Sequence, residues 1–384
     1  MSWNLQEQAA DWQARGLWRH LRELQSAQGP VVRLDGREVL NFSSNDYLGL
    51  ADAPALREAL LEGVQRHGAG AGASRLVCGT HSAHLALERQ IADFKGAQAA
   101  LVFGSGFATA LGVIPALVGS GDTVILDKLC HASLVDAARL SGATLRVFPH
   151  NHLGRLEKLL QGAQGRVLIV TESIFSMDGD RCPLADIVAL KKRHAAWLLL
   201  DEAHAVGVIG PQGRGLAAEL GLETEVELQM GTLSKALGLS GGYVAAPQEV
   251  IGWLVNRARS FVYSTAMPPA LAHAAGRALE LAVGTEGDAR RARLMANLRL
   301  LGAGDLSQSA ILPWIIGEET AAVAASDSLL ADGFLIPAIR YPTVARGTAR
   351  LRITCTASHT AEHITMLRQA LQCWQLIAPT GKSP

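Results

Sequence analysis

Two patterns of hydrophobic and polar residues alternate along most of the chain. Short, almost entirely apolar runs are bounded by glycine or polar residues, which is typical of buried strands. Longer stretches between them repeat apolar residues every three or four positions, as amphipathic helices do. The apolar runs predict seven strands, at residues 99–103, 123–126, 144–148, 167–171, 197–200, 226–230 and 243–246. Because uninterrupted apolar runs indicate strands that are buried on both faces, we expect an α/β fold with a seven-stranded, mostly parallel sheet flanked by helices.

The beginning of the chain follows a different pattern. Apolar residues at helical spacing predict a helix from residue 1 to about residue 28, ending before Pro30. Residues 31–40 predict two short strands, and the pair Asp35-Gly36 between them favours a hairpin turn. The ten residues that follow are polar and rich in turn formers.

The length and a change of composition predict more than one domain. A chain of 384 residues exceeds the size at which a single core usually keeps growing. Near residue 280 the alternation ends, and a charged helix leads into a smaller α+β region. We therefore predict an N-terminal helix and hairpin segment at 1–45, a large domain at 46–280, and an α+β domain at 281–384. Within the large domain, a helix is predicted at 76–90.

The composition describes a core-rich globular protein, with 49% hydrophobic and 18% charged residues. Thirty-five basic residues balance thirty-five acidic ones, so no charge-driven attraction to nucleic acid or membranes follows. The five cysteines are scattered without a C-x-x-C pair, and the N-terminus has no signal-peptide pattern, which predicts a cytoplasmic protein without a metal framework. A long charge-free run after Lys95 is broken by glycine and proline, and predicts a buried parallel strand and a helix, not a membrane span.

Polar and reactive side chains follow most of the predicted strands at the point where each strand ends. In an open α/β sheet the carboxyl ends of the strands lie at one edge, and ligands bind there. The segments concerned are residues 104–109, 127–131, 171–180, 201–204 and 232–235. Their convergence on one edge predicts a binding site.

One lysine in these segments is a candidate nucleophile. Lys235 lies among small and apolar residues, directly after a predicted strand and just before a Gly-Gly turn. Desolvation disfavours an ammonium ion, so a lysine in this setting can act as an amine and form a Schiff base. The hydroxyls of Thr232 and Ser234 lie where they could hold a phosphate. The alternative is an ordinary surface lysine in a polar turn.

Two other segments match known motifs only in part. The pattern Gly104-x-Gly106-x-x-Thr109 lacks the third glycine of a dinucleotide fingerprint, and favours either a cradle for a single phosphate or an ordinary strand–helix turn. The DEAH sequence at 201–204 could indicate an ATPase, but the only G-K-S sequence, at 381–383, lacks the leading glycine of a phosphate-binding loop.

Four further side chains suit a ring-shaped cofactor and its substrate. Asp201 could keep a pyridinium nitrogen protonated, as a cofactor used as an electron sink requires, and His204 would lie near the ring's phenolic oxygen. The alternative is a helix-capping aspartate with a structural histidine. His131, at the same predicted edge, could stack on an aromatic cofactor, although a lone histidine is more often structural. Arg352 could bind a carboxylate through two parallel hydrogen bonds, although a solvated arginine is commoner.

Taken together, these segments resemble those of the α-oxoamine synthases, which are pyridoxal 5'-phosphate (PLP) enzymes of fold type I. The resemblance extends over nearly the whole chain. It rests on NFSSNDYLGL at 41–50, SGF at 105–107, HAS at 131–133, TESIFSMDGD at 171–180, DEAH at 201–204, TLSK at 232–235, YSTAMPP at 263–269 and PTV…GTARLRIT at 342–354.

The resemblance implies a role for each matching position. The catalytic residues would be Lys235, His131, Asp201 and His204. PLP would be bound by Gly106, Phe107, His131, Ser176, Asp201, His204, Thr232 and Lys235. The substrates would be bound by Arg19, Asn45, His131, Thr343 and Arg352. Members of the family are dimers with the active site at the subunit interface, so the same is expected here.

The resemblance also implies a reaction. Lys235 would carry PLP as a Schiff base and move the α-proton of the amino acid, and His131 would polarise the thioester carbonyl. The member most similar in sequence condenses L-alanine with pimeloyl-CoA or a pimeloyl-carrier protein, with loss of carbon dioxide, to make a biotin precursor. The glycine-using members, 2-amino-3-ketobutyrate CoA ligase and 5-aminolevulinate synthase, share the catalytic set and remain an alternative. A PLP-fold protein that binds partners without catalysis is a further alternative, but it should have lost the lysine or the aspartate.

Overall fold

The computed structural model describes residues 3–302 and 309–373. The G-K-S sequence at 381–383 lies outside the described residues. The chain divides into two compact units. The first, unit 1, comprises the described residues of 1–49, 177–179 and 292–384, and the second, unit 2, comprises residues 50–176 and 180–291.

The strands of the described residues belong to three sheets. They are β1 (Val31–Leu34), β2 (Arg37–Asn41), β3 (Ala99–Phe103), β4 (Thr123–Asp127), β5 (Thr144–Phe148), β6 (Val167–Glu172), β7 (Trp197–Asp201), β8 (Leu228–Thr232), β9 (Gly242–Ala246), β10 (Ile311–Gly317), β11 (Phe334–Leu335), β12 (Ala338–Ile339) and β13 (Ala349–Thr354).

Helices of very different length separate these strands. They are α1 (Leu5–Ala14), α2 (Pro54–His67), α3 (Ser82–Lys95), α4 (Gly106–Leu117), α5 (Ala132–Leu140), α6 (Leu153–Gln161), α7 (Leu184–Arg193), α8 (Leu216–Glu219), α9 (Gln248–Arg257), α10 (Arg259–Val262), α11 (Pro269–Val283), α12 (Thr285–Leu301), α13 (Glu319–Ala331) and α14 (Ala361–Cys373). Within residues 3–302 and 309–373, none of them combines the length and the apolar character that crossing a membrane requires.

Unit 2 is built around the seven-stranded sheet, whose order is β3-β9-β8-β7-β6-β4-β5. Neighbouring strands are parallel except at β9, which runs antiparallel to both β3 and β8. Since β9 alone is reversed, β3 points the same way as the parallel strands, and the carboxyl ends of β3, β4, β6, β7 and β8 lie at one edge. The predicted α/β fold with a mostly parallel seven-stranded sheet is confirmed.

Apolar cores cover both faces of this sheet. Successive side chains of a strand point to opposite faces. In β6, Leu168 and Val170 pack into one cluster of buried residues, whereas Ile169 packs into another. In β7, Leu199 packs into the first of these clusters and its neighbour Leu200 into the second. Burial on both sides explains why these strands appear in the sequence as uninterrupted apolar runs.

Unit 1 contains two small three-stranded sheets, β1-β2-β11 and β10-β13-β12. The hairpin predicted at 31–40 is present, with Asp35 and Gly36 at φ values of 50° and 77° in its turn. β2 pairs in parallel with β11, so the N-terminal hairpin shares a sheet with a strand from the C-terminal region. The described residues of 1–49 accordingly group with those of 292–384, whereas the sequence suggested a segment of its own at 1–45.

The predicted first helix is too long. α1 ends at Ala14, because Gly16 adopts a left-handed conformation with φ 63° and Leu17 donates its N–H to the Trp12 carbonyl, a bond that closes a helix C-terminus. The helix predicted at 76–90 is also displaced. Residues Arg75–Gly79 form a single wide turn, and α3 begins at Ser82.

A buried ion pair lies beneath the sheet edge in unit 2. The side chains of Lys95 and Glu202 are both fully buried, and the Lys95 ammonium contacts the Glu202 carboxylate and the Arg214 carbonyl. Glu202 also accepts the N–H of Ala217 at 3.0 Å. Because Glu202 follows the last residue of β7, this pair fixes the backbone just beyond the strand.

We expect Lys95→Met to lower the free energy of unfolding by about 3–5 kcal/mol, because it leaves a buried carboxylate without its cation. The matched control is Lys192→Met, whose partner Glu225 is at the surface and whose own side chain is 54% exposed, so little change is expected. Chemical denaturation of both variants checks this. Equal stabilities would contradict it.

Candidate active site

The carboxyl edge of the seven-stranded sheet carries a cavity of about 230 Å³. The loops after β3, β4, β6, β7 and β8 supply its walls. Its lining residues are Ser105, Gly106, Phe107, His131, Ser133, Glu172, Asp201, Ala203, His204, Met230, Gly231, Thr232, Ser234 and Lys235. The predicted convergence of segments at this edge is therefore present within unit 2.

Lys235 occupies a tight turn after β8. The turn is closed by hydrogen bonds from the Gly238 N–H to the Lys235 carbonyl and from the Leu239 N–H to the Leu233 carbonyl, both 2.9 Å long. Gly238 has φ 71°, and a Cβ there would lie 2.5 Å from the backbone nitrogen of Ala51, so the position requires glycine. The lysine amine lies 2.7 Å from Nε2 of His204. The turn thus holds the amine against a ring nitrogen in the cavity wall.

The first turn of α4 forms one side of the cavity. Ser105 caps this helix by accepting the Ala108 N–H at 3.1 Å, and Gly106 and Phe107 are its first residues. Unpaired N–H groups at the start of a helix attract anions. The backbone of β9 approaches closely here, because a Cβ on Gly242 would lie 2.5 Å from the Gly106 nitrogen.

Hydroxyl groups lie beside that helix end, where a Cβ on Gly106 would be 3.9 Å from the Thr232 hydroxyl oxygen. The hydroxyls of Thr232 and Ser234 are 2.6 Å apart, and Thr232 donates to the Gly241 carbonyl at 2.7 Å. Thr232 and Phe103 both pair with Gly242 in the sheet, which places the loop after β8 beside the loop after β3. Helix N–H groups beside these hydroxyls suit a phosphate, although Thr232 would have to turn its proton away from the Gly241 carbonyl to donate to one.

Asp201 is buried at the end of β7. Its Oδ1 accepts the Ala203 N–H at 2.9 Å. Burial raises the pKa of the Asp201 carboxyl, while the Lys235 charge and this hydrogen bond act in the opposite direction. An acid held in this way in a cavity wall can pair with a protonated ring nitrogen.

A second carboxyl in the cavity wall was not predicted as a site residue. Glu172 ends β6, pairs with Asp201 in the sheet register and accepts the backbone N–H of His131. Burial raises the pKa of Glu172, and the charge of Asp201 raises it further. The sequence carried a usable signal, because Glu172 directly follows a predicted strand, as Asp201 does.

His131 begins α5 as its capping residue. Its Nδ1 accepts the Ser133 N–H at 3.2 Å and lies 2.8 Å from the Ser133 hydroxyl. His131 keeps contact with solvent, yet desolvation by the surrounding protein lowers its pKa. The charge of Lys235 lowers this pKa further, whereas the charge of Asp201 raises it. Because Nδ1 accepts a backbone hydrogen bond, the neutral ring carries its proton on Nε2.

Ser176 is the one predicted cofactor-binding residue that does not line this cavity. It is buried in the loop that follows β6. Its proposed contact with the ring oxygen stays a prediction.

Four of the five predicted substrate residues form two hydrogen-bonded pairs within unit 1, and the fifth, His131, belongs to unit 2. Arg352, on β13, donates to the Asn45 side-chain oxygen and to the Thr354 hydroxyl, both at 3.0 Å. Arg19 donates to the Thr343 hydroxyl at 3.1 Å. Each predicted arginine therefore meets a second residue that the resemblance had singled out.

A further arginine accompanies the second pair. Arg340 donates to the Trp18 carbonyl at 2.7 Å, next to Arg19 in the chain. Burial lowers the pKa of Arg340, and the charge of Arg19 lowers it further, as expected of neighbouring cations. Within the described part of the chain, the buried Nε of Arg340 has no hydrogen-bond partner.

The residues of the cavity in unit 2 fit PLP. A lysine amine is available for covalent attachment, a buried carboxylate suits the ring nitrogen, and helix N–H groups with hydroxyls suit the phosphate. The closeness of Gly242 to Gly106 leaves no room for a side chain beside the phosphate cradle.

Comparison with known proteins agrees with this chemistry. The chain matches the family described as aminotransferase class I and II over residues 37–371. It is 49% identical to an 8-amino-7-oxononanoate synthase of Geobacter sulfurreducens over 90% of this chain and 91% of that protein. It is 45% identical to an 8-amino-7-oxononanoate synthase of Herminiimonas arsenicoxydans over 94% of this chain and 96% of that protein.

A solved structure extends the likeness to three dimensions. A serine palmitoyltransferase from S. paucimobilis, with a bound PLP–myriocin aldimine, superposes with a TM-score of 0.91 at 28% identity. The superposition covers 97% of this chain and 98% of that one. The chain belongs to the aminotransferase class I and II family, and within it to the α-oxoamine synthases.

Proposed function

We propose that the chain catalyses the PLP-dependent condensation of L-alanine with pimeloyl-CoA or a pimeloyl-carrier protein. The products are 8-amino-7-oxononanoate, carbon dioxide and the free thiol, as part of biotin biosynthesis. The observation that carries the proposal is that the Lys235 amine and the buried Asp201 carboxyl line one cavity, in a chain that is 49% identical to the 8-amino-7-oxononanoate synthase of Geobacter sulfurreducens.

PLP, when bound, supplies an electron sink for the carbanion formed at the α-carbon of the amino acid. Asp201 would hold a proton at the ring nitrogen, for which its low solvent exposure and its hydrogen bond from Ala203 prepare it. Gly106, Phe107 and Thr232 would bind the phosphate.

Lys235 would hold the cofactor and then transfer the α-proton. Its amine lies 2.7 Å from the His204 ring, so His204 can orient it and contact the ring oxygen together with Ser176. His131 would stack on the ring and donate from Nε2 to the thioester carbonyl oxygen, because its Nδ1 already accepts the Ser133 N–H.

The substrates would be bound by residues of unit 1. Arg352 and Asn45 would bind the alanine carboxylate, since a guanidinium matches a carboxylate in geometry and charge. Arg19 and Thr343 would bind the acyl donor, which carries anionic groups. The neighbouring charge of Arg340, which has an unpaired Nε among the described residues, supports an anionic partner at this position.

The proposal includes a homodimer in the cytoplasm, with the active site at the subunit interface. Light scattering on the purified protein measures the oligomeric state directly. A strict monomer with full activity would contradict the dimeric site.

The deciding experiment supplies L-alanine or glycine to the PLP-loaded protein, with pimeloyl-CoA as acyl donor, and follows thiol release and product mass. We expect turnover with alanine and formation of 8-amino-7-oxononanoate. Turnover with glycine alone, tested also with acetyl-CoA and succinyl-CoA, would instead indicate a glycine-using member of the family. Absence of PLP binding would favour a non-catalytic protein.

Lys235→Ala should abolish covalent attachment of PLP and lower kcat by a factor of at least about 10² to 10⁴, because the general base is lost. Borohydride reduction followed by peptide mass spectrometry locates the attachment site in the unmodified protein. Circular dichroism should show an unchanged fold. Near-normal turnover in this variant would remove Lys235 from its role.

Arg352→Ala should raise KM for alanine by about ten- to a hundredfold, because a charge-assisted hydrogen bond contributes about 1.5–3 kcal/mol. Arg368→Ala, on the exposed side of α14, is the control and should leave KM unchanged. Steady-state kinetics with varied alanine checks both variants. An unaltered KM in Arg352→Ala would rule out the carboxylate-binding role.

A further inference from the structure

A histidine outside the cavity is bound by two carboxylates at once. Nδ1 of His150 lies 3.1 Å from Oδ1 of Asp127, and Nε2 lies 2.7 Å from Oδ2 of Asp180. Its ring packs edge-on against Phe175, with centroids 4.4 Å apart. The neighbouring Asn151 adds a backbone bond to Asp127 and side-chain bonds to Asp180 and the Arg181 carbonyl. All of these residues belong to unit 2.

Asp127 connects this histidine to the loop that carries His131. It ends β4 and is completely buried. Its Oδ1 also accepts the Leu129 N–H at 2.8 Å, and its carbonyl accepts the Cys130 N–H at 3.1 Å. These bonds shape residues 128–131, which we call the His131 loop.

Asp180 connects the same histidine to the loop that carries Ser176. The Asp180 carbonyl accepts the Phe175 N–H at 3.0 Å, and Phe175 is also the residue that contacts the His150 ring. We call residues 173–176 the Ser176 loop. One side chain therefore joins two loops that each carry a residue assigned to the cofactor.

Electrostatics makes His150 a cation in this setting. Burial lowers its pKa, but the hydrogen bonds and charges of Asp127 and Asp180 outweigh this effect and raise the pKa to about 10. Its other neighbours, Asn151 and Phe175, carry no charge. An imidazolium donates from both ring nitrogens, so it satisfies both carboxylates together.

We propose that His150 is a positioning residue, which holds the His131 loop and the Ser176 loop in the arrangement that catalysis requires. The inference rests on the proposed function, because that function assigns roles to His131 and Ser176. No part of the reaction is carried by His150 itself.

The proposal gives a kinetic signature. Loss of the shared cation frees the His131 loop, and His131 acts on the thioester, whereas Arg352 binds the amino acid. His150→Gln should therefore lower kcat/KM for the acyl thioester by about ten- to a hundredfold, the loss expected from a small misplacement. KM for alanine should stay within about twofold of the unmodified value, because the proposed function assigns the amino acid to Arg352, which lies in neither loop.

Hydrogen–deuterium exchange on the PLP-loaded protein tests the structural step without any substrate. We expect faster exchange in the His131 loop and the Ser176 loop of His150→Gln. The control is His152→Gln, two residues away, where the exposed side chain caps α6 by accepting the Arg155 N–H at 3.1 Å. Unchanged exchange in both loops of His150→Gln would overturn the proposal, and so would a loss confined to alanine binding.

A second variant keeps the test decisive if His150→Gln is unstable. Asp180→Ala preserves the bond between His150 and Asp127 and removes the acceptor of the His150 Nε2 proton, a carboxylate that is 40% exposed. It should accelerate exchange in the Ser176 loop and leave the His131 loop protected. Protection of both loops would overturn the proposal. If the unmodified protein shows no condensation with either amino acid, the proposed function fails, while the exchange data still decide whether His150 joins the loops.

The pH dependence of stability provides a further readout. Because the pKa of His150 is raised in the folded protein from its ordinary 6.5 to about 10, its stabilising contribution is complete below pH 6.5 and is lost as the pH rises towards 10. The difference in Tm between the unmodified protein and His150→Gln should shrink over that range. A difference that is constant with pH would show that the histidine acts only by packing.

Discussion

Three buried carboxylates at the ends of adjacent strands impose the main constraint on this structure. Asp127, Glu172 and Asp201 end β4, β6 and β7, and they are 0%, 2% and 6% exposed. A buried anion is tolerated only if hydrogen bonds or a cation compensate for its lost hydration, or if it takes up a proton. Here each carboxylate is compensated differently. Asp127 is held by the His150 cation, Asp201 faces the charge of Lys235, and the pKa of Glu172 is raised.

The direction of the strands turns this constraint into a site. Parallel strands bring their carboxyl ends to one edge, so residues far apart in the sequence line one cavity. The reversal of β9 brings the start of a strand to this edge, because its first residue, Gly242, pairs with the last residues of both β3 and β8. The absence of a side chain at Gly242 lets the strand pass close to the first turn of α4, whose N–H groups are those proposed to bind the phosphate.

Periodicity in the sequence predicted the large sheet closely, and its errors are instructive. Most predicted strands stopped at the last apolar residue, whereas β4, β6 and β7 continue by one further residue, and that residue is in each case a buried carboxylate. A rule based on hydrophobicity alone therefore ends each of these strands one residue before the buried carboxylate. Glu172 and Asp201 follow their predicted strands in the same way, so the signal that supported Asp201 was also present for Glu172. The first helix failed for another reason. Its apolar spacing continues past Gly16, but backbone geometry at one glycine overrides side-chain periodicity. The parallel pairing of β2 with β11 joins residues about three hundred positions apart, and no local pattern encodes it.

The division of the predicted residues between the two units has a consequence for substrate choice. Unit 2 contains the residues assigned to PLP, and under the proposed function these would perform the chemistry that every α-oxoamine synthase needs. Unit 1 internally assembles the two arginine pairs assigned to the substrates. A single methyl group in a pocket changes binding by only about 1–3 kcal/mol, so alanine and glycine are hard to separate by the amino-acid site alone. Under the proposed function an anionic acyl donor would add binding energy, because Arg19 and Arg340 are neighbouring cations whose repulsion an anion between them would relieve. The amino-acid site alone would then separate alanine from glycine only weakly, and contacts with the acyl donor would have to add to the selection.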